Sequence, residues 1–241
     1  MSGKRLLVVS AHAADFVWRA GGTIASYIAR GDEVKVIVLS YGVRGESNDL
    51  WKSEGQTAEN VKKIRLGESS AAAEILGVKD IEYWDYEDYP MDLGRERLDR
   101  LATAIRRFKP DAVLTHGPKD QFNPDHEKVS EFTFQACVVA TSSGAQLEGL
   151  KAVKQMDIYG FEPHQTEISD FKPGTLIDIS AVFEKKKQAM ACFKAQKHLI
   201  DYYTERGHMR GNHARRISGN NEYTAAECFS NFFPIVSSEF I

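Results

Sequence analysis

The sequence predicts an α/β fold in which helices flank a mostly parallel sheet. Short apolar runs alternate with longer amphipathic segments over the first two thirds of the chain. The amphipathic segments are long enough to be helices, and a glycine or proline follows several of them. Because a helix of this length between two strands forms a right-handed crossover, the strands that it connects run parallel.

The elements follow in order along the chain. A buried strand, RLLVVSAH, precedes the helix VWRAGGTIASYIARG, which has Ile24, Tyr27 and Ile28 on one face and Gly31 at its end. The pattern then predicts, in turn, the strand EVKVIVLS, the helix TAENVKKIRLGESSAAAEILG, the strand IEYWD, the helix RERLDRLATAIRRF and the strand DAVLTH.

The pattern after His126 predicts a further helix to about Ala140 and then two strands, MDIYGFE and TLIDIS. It next predicts one long helix over AVFEKKKQAMACFKAQKHLIDYY, followed by a loop over the polar, glycine-containing RGHMRGNHARRISGNNEY. No internal repeat, low-complexity tract or linker interrupts the chain. Residues 1–241 are therefore expected to form a single domain.

The composition restricts the kinds of partner. The chain has 42% hydrophobic and 27% charged residues, which is typical of a globular protein. A net charge of -3 gives no general attraction to nucleic acid or to an anionic membrane. We expect no signal peptide and no transmembrane span, because the apolar runs are too short. Three widely separated cysteines, Cys137, Cys192 and Cys228, favour a reducing, cytoplasmic location.

Polar side chains recur at the ends of the predicted strands, where ligands bind in open parallel sheets. A strand-end histidine is often only hydrogen-bonded within the fold, and aspartate is favoured in turns and at helix N-termini. A functional site is favoured because many such residues fall at the same edge of the predicted sheet. In chain order these residues are His12, Asp15, Tyr41, Arg44, Glu46, Asp85, Asp88, His116, Asp120, Asn123, Asp125, His126, Glu162 and His164.

Three of these residues have the composition of a catalytic metal site. His12, Asp15 and His126 offer two imidazoles and one carboxylate, and such a set leaves coordination positions for water or substrate. Zinc, one ion per subunit, is the expected occupant. Asp120 and Asp125 are candidates to accept the second ring N–H of the ligating histidines, and Asn123 is expected beside them behind the ligands.

Two segments, SAHAADFVWRAGGTIA and PDAVLTHGPKDQFNPDHEKVS, resemble the motifs of the zinc-dependent LmbE/PIG-L family of N-acetylglucosaminyl deacetylases. That family has a Rossmann-like three-layer fold, and its motifs read A-H-P-D-D-E and H-P-D-H. The resemblance covers roughly the first 140 residues. It implies that His12, Asp15 and His126 bind zinc.

The departures from the deacetylase motifs concern the catalytic groups. Ala14 stands where the deacetylases have the aspartate that activates water, and Asn123 stands where they have a histidine that stabilises the tetrahedral intermediate. Loss of a positioned base typically costs ~10²- to 10⁴-fold in rate. The metal ligands are therefore expected to be retained without the usual amide-hydrolysing groups.

A hydratase branch of the same superfamily resembles nearly the whole chain. The motifs are AH.ADFVWRAGG, RGES followed by LW, DYPM, FEPHQ and HLIDYYT, and the branch is that of the 4-oxalomesaconate hydratases. The resemblance implies hydration of a conjugated tricarboxylate to 4-carboxy-4-hydroxy-2-oxoadipate, in aromatic catabolism of the gallate type. Glu46 and His164 are the candidate acid–base pair, with their roles undecided. Alternatively, Glu46 pairs with Arg44 in a turn, and His164 is a buried structural residue.

An anionic polycarboxylate substrate requires cations, and arginine suits carboxylate recognition. The candidates are Arg44, Arg19, Lys119, Arg210 and Arg215. The last two lie in the arginine-rich loop segment, which is interpreted either as a solvated loop or as a flap from the same or a neighbouring subunit of a homo-oligomer. Two other functions compete: a zinc-dependent N-deacetylase in which Glu46 or Asp125 replaces the base, and a metal-bearing binding protein without activity.

Overall fold

A computed structural model describes residues 3–238, and its centre is a seven-stranded sheet with the strand order β3-β2-β1-β4-β5-β7-β6. The strands are β1 (Arg5–Ser10), β2 (Glu33–Val38), β3 (Asp80–Tyr83), β4 (Ala112–His116), β5 (Asp157–Phe161), β6 (Thr175–Asp178) and β7 (Ala226–Asn231). The α-helices are α1 (Asp15–Ala29), α2 (Asn48–Trp51), α3 (Ala58–Leu76), α4 (Arg95–Phe108), α5 (Pro124–Thr141), α6 (Phe183–Met190) and α7 (Leu199–Ser218).

The strand order places a topological switch point next to β1. The pairs β1–β2, β2–β3, β1–β4 and β4–β5 are all parallel, and β7 is antiparallel to both β5 and β6. The chain therefore winds outward from β1 in both directions, and a crevice opens beyond the carboxyl ends of β1 and β4. The predicted α/β architecture with a mostly parallel sheet is confirmed.

The residues of β1 contribute alternately to two cores, one on each side of the sheet. Leu6 and Val8 pack with residues of α1, α3 and α6, whereas Leu7 and Val9 pack with residues of α4 and α5. All four are almost completely buried. A strand covered on both faces reads as a continuous apolar run, which is why its sequence predicted a buried parallel strand.

The predicted long helix over residues 181–203 is wrong. The structure divides it into a 3₁₀ turn (Ser180–Val182), α6, a second 3₁₀ turn (Lys194–Gln196) and the start of α7. Phe193 is fully buried between α6 and the second turn, and the backbone N–H groups of Lys194 and Ala195 donate to Glu68 Oε1 at 2.9 and 3.4 Å. A carboxylate from α3 thus satisfies backbone groups that a continuous helix would bond internally.

The predicted loop after Tyr203 is also wrong, because α7 continues to Ser218. The glycines that suggested a loop provide close packing instead. A Cβ at Gly207 would lie 2.6 Å from the Phe183 ring, and one at Gly211 would lie 2.4 Å from the backbone of Thr224. Strand β7 was not predicted at all, although its Cys228 and Phe229 are buried.

A buried ion pair ties the end of the chain to α1. Lys186 Nζ lies 2.6 Å from Glu227 Oε1 and donates to the Trp18 carbonyl at 2.9 Å. The Glu227 carboxylate accepts the backbone N–H groups of Gly22 and Thr23 at 2.9 and 2.8 Å. In a regular helix the Gly22 N–H donates to the Trp18 carbonyl. Here Glu227 accepts from the Gly22 N–H and Lys186 donates to the Trp18 carbonyl. Helix α1 is therefore braced by α6 and β7.

No helix within residues 3–238 combines the length and the apolar character needed to cross a bilayer.

Candidate metal centre and active site

Four side chains converge beyond the carboxyl ends of β1, β2 and β4. His12 and Asp15 lie between β1 and the first turn of α1, Glu46 lies in the segment after β2, and His126 lies in the first turn of α5. One ligand atom from each residue lies within 4.8 Å of the others. His12, Asp15 and His126 are at most 3% exposed. The predicted metal ligands thus meet in one place, and Glu46 joins them.

The nitrogen and oxygen atoms of this cluster are close enough to share one ion. His12 Nδ1 lies 3.3 Å from His126 Nε2, 3.4 Å from Asp15 Oδ2 and 3.5 Å from Glu46 Oε1. His126 Nε2 lies 3.4 Å from Asp15 Oδ1 and 3.9 Å from Glu46 Oε1. Imidazole nitrogen and carboxylate oxygen are the donor types that zinc and related divalent metals bind.

The outer ring nitrogens of both histidines face carboxylates. His126 Nδ1 lies 2.9 Å from Asp120 Oδ2, and His12 Nε2 lies 3.5 Å from Asp125 Oδ2. Because a carboxylate only accepts, Nδ1 of His126 carries the proton and its Nε2 presents a lone pair to the cluster, whereas His12 Nε2 faces Asp125 without a hydrogen bond. A buried arrangement of this kind fits a divalent cation. Asp120 and Asp125 lie where the sequence predicted them.

The charges around the cluster shift several pKa values. Burial opposes a charge on His12, but Glu46, Asp125 and Asp15 raise the pKa of its imidazole well above the usual value. Burial likewise opposes ionisation of Asp125, yet its pKa is lowered to about 2 by His12 and by backbone N–H donors. The field at the centre therefore favours positive charge, whether a proton or a metal ion provides it.

Asp125 also holds the DYPM segment in place. Its carboxylate accepts the backbone N–H groups of Tyr89 and Met91 at 2.8 and 2.9 Å. The Tyr89 ring stacks on His12 with 5.4 Å between ring centroids. One carboxylate thus faces the His12 ring and holds the backbone that carries the aromatic ring covering it.

The carboxylate of Glu46 is held by two amide groups. Asn123 Nδ2 donates to Oε1 at 2.8 Å, and Gln196 Nε2 donates to Oε2 at 3.3 Å. Asn123, expected behind the predicted metal ligands, therefore contacts Glu46 rather than His12 or His126. Asp88, buried after β3, accepts the N–H groups of Arg44 and Gly45 at 2.8 and 2.9 Å and thereby fixes the loop that carries Glu46.

His164, after β5, lines the same cavity as Glu46. Its Nδ1 lies 3.0 Å from the hydroxyl of Tyr203, and its ring stacks on that of Tyr202. Burial, Arg19 and Arg206 lower the pKa of the His164 imidazole to about 3. The ring is therefore neutral at neutral pH.

The cavity that joins these groups has a volume of about 350 Å³. A larger groove, of about 1010 Å³, runs along β3 and α4 and contains none of the predicted site residues. The predicted residues that line the smaller cavity are Asp15, Arg19, Glu46, Asp120, Asn123 and His164. Further lining residues are Trp18, Tyr89, Phe122, Gln196, His198 and Tyr203, of which Phe122 and Gln196 lie outside the motifs of the hydratase resemblance.

Arg19 is the one arginine or lysine among the predicted substrate-binding residues that lines the cavity. Its Nη1 donates to the Glu162 carbonyl at 2.8 Å, and its Nη2 lies 3.4 Å from Asp120 Oδ2. The Arg19 Nε is buried and has no hydrogen-bond partner among the described residues. The Arg19 Nε instead faces Asp15 Oδ1 at 3.7 Å, so the guanidinium is fixed between Asp15 and Asp120.

The structure does not bring the other four predicted cations to the cavity. The Arg44 side chain is exposed, Lys119 pairs with Asp170 at 2.6 Å, and Arg215 contacts Asn212 within α7. Arg210 forms a buried pair with Glu162 in which its Nε lies 3.0 Å from Oε2, so its donors are already engaged. None of these four lines the cavity around Glu46 and His164.

Comparison with known proteins assigns the chain to a family. The model described as PIG-L: GlcNAc-PI de-N-acetylase matches residues 7–137, a segment that contains the four clustered side chains. The chain belongs to the PIG-L family. The resemblance inferred from the two sequence motifs is thereby confirmed.

A hydratase sequence and a hydratase crystal structure, both from one bacterial strain, extend the similarity over almost the whole chain. The chain is 42% identical over 237 residues to the 4-oxalmesaconate hydratase of Pseudomonas putida KT2440, covering 97% of this chain and 91% of that protein. The crystal structure of GalB, the 4-carboxy-2-hydroxymuconate hydratase from the same strain, superimposes with a TM-score of 0.94, covering 99% of this chain and 100% of that one.

More distant members of the PIG-L family are named as deacetylases. The diacetylchitobiose deacetylase of Thermococcus kodakarensis is 29% identical over 201 residues, covering 80% of this chain and 70% of that protein. The structure of the N,N'-diacetylchitobiose deacetylase from Pyrococcus horikoshii has a TM-score of 0.76 at 22% identity, which shows the shared fold.

Proposed function

We propose that this chain is a zinc-dependent hydratase that adds water to the double bond of 4-oxalomesaconate and forms 4-carboxy-4-hydroxy-2-oxoadipate. The observation that carries the proposal is the convergence of Glu46, His164 and Arg19 in one cavity beside the metal ligands, in a chain without the deacetylase base. Similarity to the hydratase sequence and the hydratase structure over almost the whole chain supports it. Their substrate names, oxalmesaconate and carboxy-hydroxymuconate, describe the keto and enol forms of one carbon skeleton.

Hydration of a conjugated double bond requires three things. A base must take a proton from water, a positive group must stabilise the charge that builds on the conjugated oxygen, and the neighbouring carbon must receive a proton. A divalent ion held by His12, Asp15 and His126 supplies a Lewis acid for water or for a substrate oxygen. The base and the proton donor must then be side chains of the protein.

Glu46 is the proposed base. Its carboxylate lies beside the metal ligands and lines the cavity, and its two hydrogen-bond partners are the neutral amides of Asn123 and Gln196. Neutral amides orient the carboxylate without neutralising it as an arginine or lysine would. The proton that Glu46 takes from water is then available for the neighbouring carbon, so that H and OH are both added and the base is regenerated.

His164 is the proposed hydrogen-bond donor to the oxygen on which charge builds. Tyr203 is almost completely buried, and among residues 3–238 its hydroxyl contacts His164 Nδ1 at 3.0 Å. A buried phenol needs an acceptor, so Nδ1 accepts and Nε2 carries the proton of the neutral ring. A neutral imidazole donates a hydrogen bond to a developing anion without first losing a proton.

Arg19 is the proposed receptor for one substrate carboxylate. It is always charged, lines the cavity and is held there by Asp15 and Asp120. A small anionic polycarboxylate therefore has one fixed cation in addition to the metal. Assembly into a homo-oligomer, a cytoplasmic location and a place in aromatic-acid degradation stay predictions.

Deacetylation of an N-acetylglucosamine-type amide is the second candidate, because the more distant relatives carry that name. Two observations disfavour it. Ala14 is fully buried within the apolar core on the α1 side of the sheet, and it offers no acceptor for a proton. Asn123 is engaged with Glu46, where the deacetylases have a histidine. Glu46 would have to take over the role of the missing base.

The test is a spectrophotometric assay of purified, zinc-loaded protein with 4-oxalomesaconate, in which loss of the conjugated chromophore reports hydration. We expect Glu46→Gln to lower kcat by ~10²- to 10⁴-fold, as for loss of a general base, while zinc content stays unchanged. Acetate release from N-acetylglucosaminides without turnover of the keto acid would establish the deacetylase instead. Full activity in Glu46→Gln would remove that residue from the mechanism and leave the metal site standing.

A further inference from the structure

Gln196 reaches the active site from a distant part of the chain. It lies in the 3₁₀ turn before α7, 150 positions after Glu46, and its side chain lines the cavity. Its Nε2 donates to Glu46 Oε2 at 3.3 Å, and the residue is only 8% exposed. Nothing in its local sequence indicates a role in the site.

The hydrogen-bond network fixes which way the Gln196 amide points. Its Oε1 accepts from Trp18 Nε1 at 3.3 Å and from Arg65 Nη2 at 3.1 Å. Indole and guanidinium N–H groups can only donate, so the amide oxygen must face them. The NH₂ group is therefore directed at Glu46, and flipping the amide would break all three contacts.

A buried ion pair in α3 holds this arrangement. Arg65 is completely buried, donates to the Tyr41 carbonyl through Nε at 3.3 Å and lies 3.0 Å from Glu68 Oε2 through Nη1. Glu68 Oε1 accepts the backbone N–H groups at the start of the 3₁₀ turn. The same pair thus fixes the backbone of the turn and, through Arg65, the amide of Gln196.

We infer that Gln196 is a positioning residue that sets the orientation of the Glu46 carboxylate, and that the Arg65–Glu68 pair sets Gln196. Asn123 holds the other oxygen of Glu46, so the two amides together define the plane of the carboxylate. The catalytic consequence of the inference rests on the proposed role of Glu46 as the base. A base acts only within hydrogen-bond reach of the proton that it takes, so a rotated carboxylate lowers kcat.

Two other roles for Gln196 give different kinetic results. A residue that binds substrate directly would raise KM when it is replaced. A residue that merely fills space would tolerate an apolar side chain of the same length. Positioning of Glu46 requires the N–H donor itself, so loss of the donor lowers kcat while KM changes little.

The experiment compares Gln196→Met, which keeps the length and removes the donor, with Gln196→Glu, which places a carboxylate against Glu46. The control is Gln188→Met on the exposed surface of α6. We expect kcat to fall about 10-fold or more in Gln196→Met and further in Gln196→Glu, with KM within about threefold and zinc content unchanged. The control should match the wild type.

A coupling measurement tests the second half of the inference. Arg65→Lys keeps the charge and loses the planar fork, so it should lower kcat in the same way. The double variant Arg65→Lys, Gln196→Met should be no slower than Gln196→Met alone, because both changes act on one contact. Additive losses would overturn the link between Arg65 and Gln196.

A structural readout separates this inference from the proposed function. A crystal structure of Gln196→Met with the Glu46 carboxylate in its original orientation would overturn the inference whatever the protein catalyses. A rotated carboxylate would support it even if the wild type fails to hydrate 4-oxalomesaconate. A Gln196→Met protein with the wild-type kcat, or one in which only KM changes, would likewise contradict it.

Discussion

Replacement of Lys186 by methionine should remove a large part of the protein's free energy of unfolding. Lys186 and Glu227 have side chains that are only 3% and 4% exposed, and their charged atoms are 2.6 Å apart. Methionine keeps most of the volume but leaves Glu227 with backbone N–H donors and without its cation. Removing one partner of a buried ion pair typically costs 3–5 kcal/mol, about 10²- to 10⁴-fold in the unfolding equilibrium.

The neighbouring residue provides a matched control. Lys187 pairs with Glu184 on the surface of α6, with side chains that are 33% and 79% exposed. Lys187→Met should therefore change the free energy of unfolding by less than about 1 kcal/mol. Adding Glu227→Gln to Lys186→Met should recover part of the loss, since the buried charge is gone while an acceptor for the α1 N–H groups remains.

Urea unfolding followed by circular dichroism, at one fixed free zinc concentration, measures these differences. The slope of the free energy against urea must stay the same for the comparison to hold. A Lys186→Met protein within about 1 kcal/mol of the wild type would refute the reasoning. So would a Lys187→Met protein that is destabilised to the same extent.

Four further outcomes are expected. Chelation should lower the melting temperature, and zinc at about 100 times its Kd should restore about 2.7 kcal/mol, measured by calorimetry. Arg19→Lys should raise KM about tenfold or more in steady-state kinetics, because an ammonium group cannot reproduce the planar fork; an unchanged KM would argue against carboxylate binding there. Gly45→Ala should lower hydratase activity, since its Cβ would lie 2.1 Å from the Tyr89 ring, whereas Gly67→Ala, with nothing within 4 Å, should gain about 0.5–1 kcal/mol in urea unfolding. His164 has a pKa of about 3 in the folded protein and about 6.5 in the unfolded chain, so the unfolded chain binds the extra proton and the free energy of unfolding falls as pH drops. Between pH 7 and pH 5 the free energy of unfolding should therefore fall by about 2 kcal/mol less in His164→Gln than in the wild type.

The convergence of His12, Asp15 and His126 could be predicted from sequence because it depends on local features. His12 and Asp15 follow the strongly apolar strand β1, and His126 lies in the first turn of α5, the helix after β4. In a parallel sheet, strand ends on neighbouring strands meet at one rim, so order along the chain is enough to bring them together. The prediction required no knowledge of side-chain packing.

The contacts of Glu46 and His164 with later parts of the chain could not be predicted in this way. Gln196 and Tyr203 contact Glu46 and His164 across long stretches of chain. The HLIDYYT motif contains Tyr203 but does not show which residue it contacts, and no motif contains Gln196. The sequence assigned too many arginines to substrate binding for a related reason. Composition shows that Arg210 is a cation, but only the fold shows that a buried Glu162 already uses its donors.

The cavity is built from two parts of the chain that contribute different things. All four clustered side chains lie before residue 127, whereas His164, Gln196 and Tyr203 come from the segment after β5. The proposed reaction depends on both parts, because Ala14, Glu46 and Asn123 lie in the first and His164 and Gln196 in the second. Exchange of the segment after β5 alone between a hydratase and a deacetylase should therefore yield an inactive protein, and conversion of one reaction into the other requires changes on both sides of the cavity.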